Sequence, residues 1–216
     1  MGYIYLLCNS KYFCMESKNY LEDLNEIKTM MTKSSRFISL SGLSGILAGV
    51  YALIGASIAY FLVSNSVRGY LILDGTIFRI CVAILLSVAF LSVITGIYLT
   101  TKKAKKNAEK IWDSSSKRLL FNFLVPLITG GIYILIILNQ ERYGQTAALM
   151  LIFYGLALIN ASKYSLGDIR YLGFTEIGLG LICAFIPSFG FWFWVLGFGI
   201  MHIIYGAWMH FKYDRK

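Results

Sequence analysis

At 216 residues the chain suits one domain, yet 57% hydrophobic and 14% charged residues exclude the make-up of an ordinary soluble domain, where about a quarter of residues are charged. Mean hydropathy is +0.66, in keeping with that exclusion. The formal charge of +9 suits either a nucleic-acid partner or basic loops beside a membrane, and the placement of the charges separates the two.

Residues 1–14 are apolar but short, and no positive charge precedes the hydrophobic part, so they make a poor signal peptide. Met15 opens a different, polar segment, and the translated chain is expected to start there, with 1–14 a mis-assigned extension. Across 15–36, Tyr20, Leu24, Ile27 and Met31 recur at helical spacing, which predicts a cytoplasmic amphipathic helix. Acidic residues crowd its first half and basic ones its second, as the helix dipole favours. Residues 20–31 are therefore a candidate surface for a partner or a second copy.

A bilayer takes about 20 mostly apolar residues to cross as a helix. Between Arg36 and Arg68 lie 31 uncharged residues, between Arg79 and Lys102 22, between Arg118 and Glu141 22, and between Arg142 and Lys163 20. These predict spans near 38–62, 78–100, 119–138 and 145–163. From Ile177 to Phe211 a further 35 residues carry no Asp, Glu, Lys or Arg. One helix of that length would reach ~52 Å, too long for a bilayer. The turn-forming Pro187-Ser188-Phe189-Gly190 divides it, predicting spans near 169–186 and 190–210 and a basic tail at 211–216. The expected fold is all-α: a polytopic integral membrane protein with a six-helix transmembrane bundle over 37–210.

With the N-terminus inside, 17 of the 20 basic residues fall on the inner side and only Arg68, Arg79 and Arg142 on the outer. That is the asymmetry of an inner-membrane protein with both termini in the cytoplasm. Lys102, Lys103, Lys105 and Lys106 are expected to meet anionic headgroups, so the positive charge reads as topology and no nucleic acid is expected.

Ionisable groups within a span are candidates for function. Glu176 and His202 are the two here. With the turn centred between Ser188 and Phe189, they stand at nearly the same height on the two arms, ~1.5 Å apart. A facing Glu–His pair would be a proton-coupling site. Ser41, Asn122 and Asn160 are polar candidates near the inner ends of other spans, and Pro126 is expected to kink the third. Gly45 and Gly49, spaced by four in the first span, suit close helix packing, within the bundle or between copies.

The four cysteines show no CxxC pairing, and glycine-rich phosphate loop, HExxH and GxSxG patterns are missing from the sequence. No catalytic residue, metal or cofactor is expected. The run Ser34-Ser-Arg-Phe-Ile-Ser-Leu-Ser-Gly-Leu-Ser-Gly45, with Ala48-Gly49, resembles a family of bacterial multi-pass membrane proteins whose members start at a methionine matching Met15. That resemblance implies a bacterial inner-membrane location and no known activity. The expected function is non-catalytic sensing or partner binding at the inner membrane. The alternatives are a small proton-linked transporter or channel using Glu176 and His202, and an intramembrane enzyme, for which no nucleophile, base and oxyanion set is visible.

Overall fold

The computed structural model describes residues 40–64, 75–107, 111–140 and 142–214. The expected amphipathic helix, its partner surface at 20–31 and the extension 1–14 lie outside the described residues.

Among the described residues the chain is helical throughout, without strands. The helices are α1 (Gly42–Ser64), α2 (Thr76–Lys106), α3 (Ser114–Asn139), α4 (Thr146–Ser162), α5 (Ile169–Phe185) and α6 (Pro187–Asp214). A single 3-10 turn, Tyr143–Gln145, leads into α4. Five of these helices are long and apolar enough to cross a membrane, α4 when its leading turn from Tyr143 is counted; the 17-residue α5 is the one outside that set.

The apolar excess lies mostly on the outside. Phe90 of α2, Leu135 of α3 and Phe185 of α5 are 66%, 67% and 88% exposed, which suits a lipid surround. The closest helix crossings are made by small residues. Packing runs from α2 to α1, from α1 to α6, and from α6 to the α4–α5 pair, with α3 on the far side of α4. At the α4–α5 crossing, a Cβ on Gly155 would stand 2.6 Å from the Gly173 carbonyl oxygen, and one on Gly173 2.8 Å from that of Gly155. At the α1–α6 crossing, a Cβ on Gly206 would lie 2.5 Å from the Ile46 nitrogen. Without a hydrophobic force between helices in lipid, such backbone-to-backbone approach is what holds them.

Three helices exceed their expected spans. α2 continues to Lys106 rather than ending near 100, which brings Lys103, Lys105 and Lys106 into its last turn, where the dipole favours cations. α3 starts at Ser114 and runs unbroken through Pro126. α6 continues to Asp214, so most of the expected tail is helical. The turn at Pro187–Phe189 is a single 3-10 turn that opens α6.

The ends of α2, α4 and α6 that carry Lys103, Lys163 and Lys212, with the start of α1, form one basic end of the bundle. Two acidic residues knit it together. Asp214 accepts hydrogen bonds from Lys103 of α2, from the Gly42 backbone N–H at 3.0 Å, from the Ser41 hydroxyl at 3.4 Å and from His210. Asp168, in the α4–α5 turn, accepts from Lys212 and from the Tyr213 hydroxyl. The last turns of α6 thus tie α1 and α2 on one side to the α4–α5 hairpin on the other. Above this knot a core of Leu158, Leu166, Ile169, Leu172 and Met209 joins α4, α5 and α6.

Candidate functional site

Glu176 of α5 and His202 of α6 meet in the interior: His202 Nδ1 lies 3.5 Å from Glu176 Oε1. Equal rise along two antiparallel helices sets their height, and two features of α6 turn them together. Val195–Met201 is wound as a π-helix, a geometry that recurs at functional sites. Within it Gly197 leaves the room the carboxyl occupies. A Cβ there would lie 2.5 Å from Glu176 Oε2 and 2.5 Å from the Leu151 side chain.

His202 is held on both nitrogens. Its Nδ1 lies 3.0 Å from the Gly197 carbonyl oxygen, which can only accept, so Nδ1 carries a hydrogen and donates. Its Nε2 is 2.8 Å from the Tyr154 hydroxyl of α4, which donates to it whenever the imidazole is neutral. Phe198 and Tyr154 stack on the ring, with centroids at 5.8 and 5.3 Å. Phe123 of α3 meets Tyr154 edge-on, and Trp194 covers Phe198.

Glu176 is the opposite case. It is fully buried, and neither carboxyl oxygen has a hydrogen-bond partner. The polar hydrogen on His202 Nδ1 beside it is already pointed at Gly197. That N–H therefore stands between two acceptors, the π-helical carbonyl and the carboxyl. A net charge buried in apolar surroundings is expensive, so the pair is cheapest with a total charge of zero. Taking up or losing one proton breaks that neutrality.

The other expected positions are placed as follows. Ser41 belongs to the Asp214 knot. Asn122 turns back on its own helix, its amide donating to the Arg118 carbonyl at 2.8 Å. Asn160 is half-buried on α4. Gly45 and Gly49 face α6: their Cβ positions would lie 3.2 Å from Gly206 Cα and 2.6 Å from the Gly199 carbonyl. That seam is filled within the chain. Lys102, Lys105 and Lys106 are exposed, whereas Lys103 is engaged within the chain. Its ammonium donates to Asp214 and, at 2.9 Å, to the Leu40 carbonyl, because α2 runs far enough to reach both.

Sequence reasoning missed Tyr154, Asp168 and Asp214. Tyr154 sat mid-span as a polar group without charge, and the two aspartates sat within basic segments as charges of the minority sign. Both signals are weak but present. No family model, curated protein or solved structure matches the chain.

Proposed function

We propose that this chain is a six-span bacterial inner-membrane protein, non-catalytic, which binds a proton at Glu176 and His202 and responds through the packing of α4, α5 and α6. The observation that carries this reading is the Glu176 carboxyl, wholly buried, without a hydrogen-bond partner and 3.5 Å from the His202 imidazole. Tyr154 brings α4 into the same arrangement, so a change of one proton is felt by three helices. Six spans follow if α5 crosses as well, its 17 residues covering ~26 Å. The basic end then faces the cytoplasm, and its exposed Lys102, Lys105 and Lys106 meet anionic lipid.

Nuclear magnetic resonance titration of the His202 ring in the wild type and in Glu176→Gln tests the site. The expected result is a displaced midpoint in the variant. An identical titration in both would reject the pair as a unit. Proton-linked transport is the second reading, favoured by the three-helix construction of the site. Proteoliposomes with an imposed pH gradient distinguish the two: proton flux abolished by Glu176→Gln would replace sensing with transport.

A further inference from the structure

Where α1 meets α2, a cleft of about 370 Å³ opens toward the outside of the bundle. Its walls are Ile54 and Ile58 of α1 and Ile80, Ala83, Ile84 and Leu91 of α2. The sequence makes this hollow in two steps. Gly55 lets the helices touch, since a Cβ there would stand 2.6 Å from Val88 Cγ2. Beside that contact Ile80, Ala83, Ser87 and Leu91 recur at helical spacing, and the two middle members of the row are small. Both polar residues on the wall are engaged. The Ser87 hydroxyl donates to the Ala83 carbonyl at 2.8 Å, and the Tyr51 hydroxyl pairs with that of Thr95 at 3.3 Å. The cleft therefore offers chiefly apolar contact. From Ile80 to Leu91 it follows α2 for ~16 Å, and one leaflet of a ~30 Å hydrocarbon core is ~15 Å deep. Arg79 stands at the cleft's end away from the basic end of the bundle. It is exposed, and its four-residue spacing from Ala83 puts it on the same side of α2. No ion pair among the described residues uses its guanidinium. The first turn of α2 holds no acidic residue, and the helix dipole there also favours an anion.

We propose that the α1–α2 cleft binds an anionic phospholipid of the leaflet opposite the basic end. One acyl chain lies in the cleft between Ile58 and Leu91, and the phosphate meets Arg79. The Tyr51–Thr95 hydrogen bond crosses between the helices beneath the chain's end. An apolar channel one leaflet long, with a single cation at its headgroup end, is the complement of such a lipid in length, polarity and charge. A helix of a second copy, ~10 Å across, would ride over the cleft rather than fill it. The site is separate from Glu176 and needs only that α1 and α2 lie in a bilayer, for which both are long and apolar enough. None of the most apolar stretch of α2 is buried, so a bound chain adds packing between α2 and α1 that the protein itself does not supply.

The test uses the full chain in phosphatidylcholine nanodiscs that hold a small fraction of phosphatidylglycerol with a diazirine on its acyl chain. After irradiation the labelled residues are mapped by mass spectrometry. Label should concentrate on Ile54, Ile58, Ser87 and Leu91. It should exceed that left by a phosphatidylcholine probe with the same chain by about fivefold, the factor one arginine beside an anionic headgroup supplies. Arg79→Gln should erase this preference, and Arg79→Lys should keep it. Ala83 is exposed on the cleft wall, so Ala83→Phe fills the hollow from outside and should remove both probes from those four residues. The two Arg79 substitutions, at an exposed position, decide the matter if Ala83→Phe does not fold. Equal labelling by the two probes would overturn the proposal, leaving only bulk lipid against α2. Label spread evenly over Phe90 and the exposed face of α3 would do the same. An unlabelled cleft in a chain that runs as a dimer in native mass spectrometry would also overturn it, in favour of a second copy.

Discussion

Helices α2 and α5 make opposite use of the same solvent. α2 is the longest helix, with 31 residues, and none of its most apolar stretch is buried. α5 has 17 residues and buries Gly173, Glu176, Gly180 and Cys183 along one face. In water the more apolar helix would be the central one. In lipid an apolar side chain gains nothing by leaving the surround, so burial goes to whatever packs closest or needs a partner. Glycine therefore marks the closest helix crossings and Glu176 and His202 lie inside, while large apolar side chains such as Phe90, Leu135 and Phe185 are left on the exterior.

The strongest way to break that comparison is to enlarge a glycine at the α4–α5 crossing. Gly173→Leu places a branched side chain where the Gly155 carbonyl already lies within 2.8 Å of a Cβ position. Backbone cannot yield as a side-chain end can, so the loss should reach about 3 kcal/mol or more. It should appear as failed expression or a much lower detergent melting temperature. Gly131→Leu in α3, with nothing within 4 Å, is the control and should melt like the wild type. Equal damage from both would mean that the exterior is packed too.

Next in size is Gly197→Ala. Its methyl would meet Glu176 Oε2 and Leu151, and displacing a buried carboxyl should cost about 2 kcal/mol. Glu176→Ala removes one of the two obstacles. A double-mutant cycle in melting temperature should then show coupling, the Gly197 substitution costing less in the Glu176→Ala background. Additive losses would place the two residues out of contact.

The two halves of the basic end come next. Lys103 and Asp214 are 17% and 11% exposed, so Lys103→Met should cost about 1.5 kcal/mol, the scale of a hydrogen bond to a charged group. Lys105→Met, exposed on the same turn, should cost close to nothing. The Asp168 knot is wetter and is better read by pH. The hydrogen bond from Lys212 holds the Asp168 carboxyl below its usual range, with burial opposing and the Tyr213 hydroxyl assisting. A lowered folded-state value stabilises the fold above the ordinary carboxylate range, and that contribution disappears as pH falls through the lowered value. The melting temperatures of wild type and Asp168→Asn should therefore differ by a constant small amount near neutrality and converge in acid. A gap that widens in acid would reverse the assignment.

Much of this arrangement is legible in the sequence because the bilayer imposes one length on every crossing. Charge-free intervals locate the helices, and Pro187-Ser188 locates the turn. The common height of Glu176 and His202 follows from equal rise on two arms of a hairpin. Their contact does not, since it depends on Gly197 and the π-helical winding of Val195–Met201, which no periodicity announces. The extra turns of α2 and α6 were hidden for a related reason. They are held by Lys103, Asp168 and Asp214, partners between 44 and 111 residues apart in the chain.

The smallest effect offers the finest test, because it lies within a single helix. On α5, Gly173 and Gly180 face α4, whereas a Cβ on Gly178 would meet nothing within 4 Å. Gly180→Ala would bring a methyl to 2.9 Å from the Ala148 carbonyl and should lower the melting temperature. Gly178→Ala meets no neighbour and restricts a freely rotating backbone position, so it should raise stability by up to about 1 kcal/mol. Two identical substitutions, two residues apart, are thus expected to differ in sign. The contrast depends only on which face of α5 meets a helix, and a destabilising Gly178→Ala would show that face to be covered as well.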